Sequence, residues 1–167
     1  MKLKHFAVAI AIVGFSSGAL ANNVNNTIAV SGGTIFFGAL HTDSDPFTDT
    51  FDFNNVLGPV LANASLVTIA SALVPGQNID FASATLNGIA LTLTPTGGFE
   101  YAFTPADLGL TGPLQLVVTG TTGAGGGVFS SYSGTLNVTQ IPEPGTWALM
   151  LSGLSGIGFM ARRQNRN

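Results

Sequence analysis

Cysteine is absent from the 167-residue chain. A protein without thiols forms no disulfide, and it offers neither a cysteine nucleophile nor a thiolate ligand for zinc. If such a chain is exported, buried apolar surface and backbone hydrogen bonds alone must hold its folded part together.

Positive charge is absent from the whole middle of the chain. Every Lys and Arg lies in a terminal segment, as Lys2, Lys4, Arg162, Arg163 and Arg166. The middle instead carries seven carboxylates, at Asp43, Asp45, Asp49, Asp52, Asp80, Glu100 and Asp107. This balance excludes nucleic-acid binding, which requires cations against phosphates, and attraction to anionic lipid. The partners that remain are divalent cations and neutral surfaces such as polysaccharide.

The first 21 residues have the pattern of a secretory signal peptide. Lys2 and Lys4 precede an apolar run over residues 6–15, and Ala19 and Ala21 form an A-x-A cleavage site. The apolar run is too short for a membrane span, which needs roughly 20 residues. We therefore expect cleavage after Ala21 and export of the remainder.

Residues 22–140 are predicted to form one all-β domain. Alternating apolar and polar positions recur in short runs bounded by Gly, Pro or Asn, and helical periodicity is almost absent. Asn87-Gly88 is a strong hairpin signal, because both residues accept a positive φ. We expect an antiparallel β-sandwich of jelly-roll type, with the Gly-rich residues 120–127 as a long hairpin loop.

The segment His41–Asn55, HTDSDPFTDTFDFNN, concentrates acids and phenylalanines. In an extended strand, Phe47, Asp49, Phe51 and Phe53 point to one face. An Asp among phenylalanines is costly unless its charge is satisfied, and the domain has no Lys or Arg for it. Asp49 must therefore accept backbone or hydroxyl hydrogen bonds, lie at a wet strand end, or help to bind a cation.

Two kinds of chemistry are conceivable in this segment. Asp43, Asp45, Asp49 and Asp52 could supply oxygens to Ca²⁺, although the Gly and Glu of an EF-hand loop are missing. His41, Asp43 and Ser44 are the residue types of a hydrolase triad, but sequence neighbours seldom adopt that geometry, so we interpret His41 as a surface-loop residue. We expect no catalysis and no obligatory cofactor; a carboxylate-dependent hydrolase remains an alternative.

The chain ends in a second apolar segment followed by arginines. No side chain from Trp147 to Ala161 is charged, and as a helix this run is about 22 Å long, shorter than a hydrocarbon core. Residues 145–161 are predicted to be a marginal transmembrane segment, and residues 162–167 its basic cytoplasmic tail. The domain would then lie outside the membrane.

This tail resembles the PEP-CTERM sorting signal, in which a proline-flanked glutamate precedes an apolar segment and a basic end. Here these parts are Pro142-Glu143-Pro144, the run from Trp147 to Gly158, and Arg162-Arg163. The resemblance implies recognition at Pro142-Glu143-Pro144 by a membrane-embedded exosortase, processing there, and delivery to the surface or medium.

Phe47, Asp49 and Phe51 also resemble the motif of FxDxF-type PEP-CTERM proteins. The expected role is a structural or adhesive component associated with exopolysaccharide in a biofilm matrix. A carbohydrate- or calcium-binding module is the alternative.

Overall fold

Eleven strands, one short 3-10 helix (Pro75–Gln77) and one α-helix are the regular elements of the part of the chain that the computed structural model describes, which is residues 23–71, 73–123, 128–142 and 144–164. The predicted signal peptide, including Ala19 and Ala21, lies outside these residues. In chain order the elements are β1 Asn25–Ala29, β2 Thr34–His41, β3 Phe47–Asn54, β4 Pro59–Ile69, β5 Ile79–Leu86, β6 Ile89–Ala90, β7 Thr92–Leu93, β8 Phe99–Phe103, β9 Leu108–Thr111, β10 Leu114–Thr122, β11 Ser130–Gln140 and α1 Pro144–Gln164.

The strands form two sheets. The first has the order β1-β3-β10-β5-β6, and the second has the order β2-β11-β4-β8-β7, with β9 also paired to β4. The predicted all-β architecture with two sheets is confirmed. The strictly antiparallel arrangement was wrong in one place, because β1 pairs with β3 in parallel, with Asn25 beside Thr50 and Ala29 beside Asn54. A strand as short and polar as NNTIA has no local signal for its direction.

Alternation along the strands places the core between the sheets. In β3 every second residue is buried, and in β4 the same holds from Val60 to Thr68. The largest fully buried apolar side chains come from both sheets and include Phe51, Phe53, Leu66, Leu86, Leu114, Leu116 and Leu136. Every buried apolar residue of this core lies between Ile28 and Val138, so the core is complete without α1.

The turns confirm one expectation and correct another. Asn87 and Gly88 have φ values of 49° and 78° and connect β5 to β6 in the predicted hairpin. The Gly-rich residues 120–127, of which 124–127 lie outside the described residues, were expected to close a second hairpin. However, β10 belongs to the first sheet and β11 to the second, so this connection crosses between the sheets. Local turn chemistry does not reveal which sheet the next strand joins.

The C-terminal segment forms the single long helix α1, Pro144–Gln164. No helix within residues 23–71, 73–123, 128–142 and 144–164 combines the length and the hydropathy needed to cross a bilayer. The transmembrane segment predicted at residues 145–161 is therefore not shown by the structure.

Candidate functional site

Asp49 is the centre of a buried polar cluster that joins the two sheets. It lies in the middle of β3 and is 0% exposed. Its Oδ1 accepts a hydrogen bond of 2.7 Å from the backbone N–H of Val24, and its Oδ2 accepts one of 2.6 Å from the hydroxyl of Tyr132. The Nε2 of His41 lies 3.1 Å from the same Oδ2. Backbone, hydroxyl and imidazole thus satisfy the carboxylate where no Lys or Arg exists.

Aromatic rings enclose this cluster. The ring of His41 stacks on Phe47 with centroids 4.1 Å apart, and Tyr132 meets Phe51 and Phe81 edge-on, at 6.4 Å and 5.5 Å. Burial raises the pKa of the Tyr132 hydroxyl, and the neighbouring Asp49 charge raises it further. Tyr132 therefore remains a neutral hydrogen-bond donor to Asp49.

The structure decides between the sequence hypotheses for these residues. Phe47, Asp49 and Phe51 do share the buried face, as predicted, and Asp49 takes the first of the three solutions, with Tyr and His as donors in addition to the backbone. The interpretation of His41 as a surface-loop residue was wrong, because it ends β2 and is 2% exposed. Its parity with Ile35, Phe37 and Ala39 was the signal for burial.

The structure does not bring the proposed triad together. His41 Nε2 lies 3.1 Å from Asp49 Oδ2 in the core, whereas Ser44 is exposed and Asp43 accepts a long contact of 3.4 Å from the backbone N–H of Asp45. Because His41 and Asp49 are both buried, this imidazole–carboxylate pair has no surface on which a substrate could meet it. The pair links the second sheet, through His41, to the first sheet, through Asp49.

The four acids proposed as calcium ligands are also separated. Asp49 faces the core, whereas Asp52 lies on the solvent side of the same strand and accepts a hydrogen bond of 2.9 Å from Gln115 Nε2. Asp43 and Asp45 lie in the turn before β3. Within the described residues, no group of three or more His, Cys, Asp or Glu side chains could hold a metal ion. Calcium binding thus stays a prediction without a gathered ligand set.

Glu100 is a second buried carboxylate, which the sequence analysis missed. It is 1% exposed, its Oε2 accepts from the Phe81 N–H at 3.0 Å, and its Oε1 accepts from the Gly97 N–H at 2.7 Å. Burial raises the pKa of this carboxyl, and nearby Asp80 raises it further, although the two backbone donors oppose the shift. The single acid in the run FEYAF gave no local sign that it would face inward.

Because Glu100 faces inward, the aromatic side chains of β8 face outward. Phe99 and Tyr101 are 56% and 40% exposed, and the ring centroids of Phe99, Tyr101 and Phe103 follow one another at 5.9 Å and 5.7 Å. Across the outer face of the second sheet, β2 exposes Phe36 and Leu40. We call this surface the aromatic face; it is formed by Phe36, Leu40, Ser65, Val67, Phe99, Tyr101, Phe103, Ser133 and Thr135.

The aromatic face contains two adjoining depressions. One has a volume of about 460 Å³ and lies between Phe36 on one side and Phe99 and Tyr101 on the other. The second, of about 390 Å³, lies against Phe36 and Leu40. Small side chains of β4 and β11 form the floor of the first depression, and there Ser65 Oγ lies 3.1 Å from Thr135 Oγ1. Among the residues that line the two depressions, the ionisable ones are Tyr101 and the buried Tyr132, and none is an Asp, Glu, His, Lys or Arg.

The sorting segment follows the last strand directly. The strand β11 ends at Gln140, the Ile141 N–H donates a 3.0 Å hydrogen bond to the Pro59 carbonyl, and α1 begins at Pro144. Glu143 lies outside the described residues, and Arg162 is exposed. Seven large apolar side chains of α1 are exposed as well: Trp147, Leu149, Met150, Leu151, Leu154, Ile157 and Met160.

Comparison with solved structures finds distant likenesses. The pre-peptidase C-terminal domain of collagenase from Bacillus anthracis is 15% identical, with a TM-score of 0.33 over 72% of this chain and 100% of that one. PliG of Salmonella Typhimurium, a periplasmic inhibitor of g-type lysozyme, is 11% identical, with a TM-score of 0.31 over 72% and 100%. PliG of Aeromonas hydrophila is 15% identical, with a TM-score of 0.30 over 70% and 99%. Scores at this level carry no inference about function.

Comparison of sequences gives one specific result. No curated protein matches the chain. A family model described as the PEP-CTERM protein-sorting motif matches residues 140–164. The match spans Pro142, Glu143, Pro144, Arg162 and Arg163, the residues on which the resemblance was based. The chain therefore carries at its C-terminal end the sorting motif of PEP-CTERM proteins, which implies a secreted protein that an exosortase processes.

Proposed function

We propose that the exported domain is a structural and adhesive component of the extracellular matrix, and that it holds neutral polysaccharide on the aromatic face. The observation that carries this proposal is the row of exposed rings on β8 beside a floor of small hydroxyl side chains. Contiguous exposed apolar surface on a small domain marks a site of interaction, since it is costly to leave in water.

The chemistry of the aromatic face suits a sugar chain. The C–H groups on one face of a pyranose are weakly positive, and they stack on the negative face of an aromatic ring. Successive rings on β8 could therefore hold successive sugars of an extended chain. Ser65, Ser133 and Thr135 offer hydroxyls that both donate and accept hydrogen bonds with sugar hydroxyls.

The charge of the domain favours a neutral glycan over an acidic one. All seven charged side chains of the middle segment are carboxylates, and none of them lines the two depressions. An anionic polysaccharide would meet like charge without a Lys or Arg to offset it.

Affinity electrophoresis of residues 22–141 tests the proposal, because the core is complete without α1. The probes are a neutral glucan and a polyuronate of similar length, cast separately into native gels. We expect the glucan alone to retard the domain, and the double variant Phe99→Ala, Tyr101→Ala to abolish the retardation. Leu57→Ala removes an apolar side chain that is more exposed than either ring, from a loop outside the aromatic face, and should leave the retardation unchanged. Equal retardation of all three proteins, or of none, contradicts the proposal.

The maturation that we propose has its own test. Cleavage after Ala21 and processing near Pro142 would leave a product without any Lys or Arg. The intact mass of the exported protein should show both losses in cells with an active exosortase, and trypsin should not cleave the product even in urea. Protein that still carries Trp147 and the arginines in cells with and without the enzyme would contradict this route.

A further inference from the structure

The strand β2 is an open edge of the second sheet. It is the terminal strand, and within the described chain only β11 pairs with it. Backbone groups in an antiparallel ladder point alternately toward and away from the neighbouring strand. Because the Val138 N–H bonds to the Gly33 carbonyl at 2.8 Å, the groups of the odd-numbered residues point toward β11. Those of Thr34, Phe36, Gly38 and Leu40 therefore point to the open edge.

This edge lacks the features that usually prevent strand addition. Sheet edges are normally kept short, or are protected by charged side chains, proline or bulges. The terminal strands β6 and β7 have two residues each, and β1 has five. The strand β2 has eight, TIFFGALH, with no Lys, Arg, Asp, Glu or Pro, and its pairing with β11 runs without a bulge.

The same strand is complementary to itself. Directly opposite residues in an antiparallel pair point to the same face, so two copies of β2 can pair around a twofold axis at Gly38. Phe36 then lies opposite Leu40 of the second copy, and Gly38 lies opposite its own counterpart. The backbone N–H and C=O groups of these same residues point to the open edge, so they can form the hydrogen bonds of the new strand pair. Two exposed apolar side chains, Phe36 and Leu40, also become neighbours across the joint.

We propose that the domain forms a twofold dimer by antiparallel pairing of β2 with β2 of a second copy, in register at Gly38. The pairing joins the two second sheets into one and extends the aromatic face across both copies without covering β8. It does not depend on the proposed glycan binding. A contact limited to one strand is small, so we expect a dissociation constant on the order of 100 µM.

The negative charges of the two domains oppose this dimer at long range, but no two acids lie opposite each other in the β2–β2 contact. Each domain carries seven carboxylates and no Lys or Arg, so two copies repel each other. In the register at Gly38, Asp43 continues past the end of the strand and lies opposite Gly33 of the second copy rather than another acid. Salt that screens the repulsion should therefore strengthen the dimer.

Sedimentation equilibrium of residues 22–141, at increasing concentration and at low and high salt, measures the association. We expect the double variant Phe36→Lys, Leu40→Lys to weaken it at least about tenfold, because each Lys faces another across the joint. The matched control is Ile69→Lys, Phe99→Lys, which makes the same charge change in a cross-strand pair of the same face, away from the edge. A dimer that only the control variant weakens, or a wild type that stays monomeric at millimolar concentration, overturns the proposal.

Cysteine cross-linking checks the register with variants that, unlike the Lys variants, add no charge. The natural chain has no cysteine, so Phe36→Cys and Leu40→Cys each introduce a single thiol. In the proposed register, Cα atoms of positions 36 and 40 of different copies lie about 5.5 Å apart, within disulfide range. Identical positions lie more than about 13 Å apart. Mild oxidation should therefore link a mixture of the two variants and neither variant alone; any other pattern contradicts the register.

Discussion

The hydroxyl of Tyr132 donates a 2.6 Å hydrogen bond to Asp49 across the interior of the sandwich, from β11 of the second sheet to β3 of the first. The two residues are 83 positions apart in the chain. Their contact explains how an FxDxF segment places an acid in a core that has no basic side chain. The carboxylate is stabilised by its contacts with the Val24 N–H, the Tyr132 hydroxyl and His41, and the last two link the second sheet to the first.

Tyr132→Phe removes one donor from Asp49 and leaves the ring in place. Because a hydrogen bond to a charged group contributes more than a neutral one, we expect the free energy of unfolding to fall by about 2 kcal/mol. Urea unfolding followed by far-UV circular dichroism measures the change. Tyr101→Phe, at an exposed ring, should stay within about 0.5 kcal/mol of the wild type. Equal effects of the two variants would show that the buried hydroxyl contributes nothing specific.

Asp49→Ala removes the acceptor and leaves several donors without it, including the Tyr132 hydroxyl and the Val24 N–H. We expect a loss of about 3 kcal/mol, larger than that of Tyr132→Phe. In the Asp49→Ala background, Tyr132→Phe should raise stability, since it removes a hydroxyl with no acceptor. A double-mutant cycle in urea measures this reversal of sign. Additive losses would mean that the two side chains act independently.

Local patterns were sufficient where burial follows alternation. The four residues Phe47, Asp49, Phe51 and Phe53 were placed on one face from spacing alone, and the hairpin at Asn87-Gly88 from two residues. The sorting motif was recognisable because its three parts follow each other within one short segment.

The errors arose where a distant part of the chain decides. The aromatic residues of β8 predict a strand but not which of its faces is buried, and Glu100 faces inward where the N–H groups of Phe81 and Gly97 bind its carboxylate. The parallel direction of β1 and the crossover after β10 likewise depend on which strands are already neighbours. Spacing within one segment contains none of this information.

Glu100 should make stability depend on pH in the direction opposite to that of a salt-bridged acid. Burial raises its pKa above the ordinary value of 4.5, so the folded state holds the proton more tightly than the unfolded state does. This contribution to stability is complete below pH 4.5 and is lost as the pH rises through the folded-state pKa. The difference in unfolding free energy between the wild type and Glu100→Gln, measured from pH 4 to about pH 7, should therefore shift against the wild type as the pH increases. A constant difference, or one that shifts toward the wild type, contradicts the raised pKa.

Gly134→Ala tests the close approach of β11 to its two neighbours in the second sheet, β4 and the edge strand β2. A methyl group at Gly134 of β11 would overlap the Ser65 carbonyl of β4 and the ring of Phe37 on β2. A carbonyl in a sheet and a buried ring have little room to move, so we expect a loss of about 2 kcal/mol. Gly109→Ala in β9 meets open space and should be neutral or stabilising by up to about 1 kcal/mol, because alanine restricts the unfolded chain. The urea midpoints of unfolding of the two variants are compared with that of the wild type. Equal midpoints for the two variants would mean that the sheet relaxes around the methyl group added at Gly134.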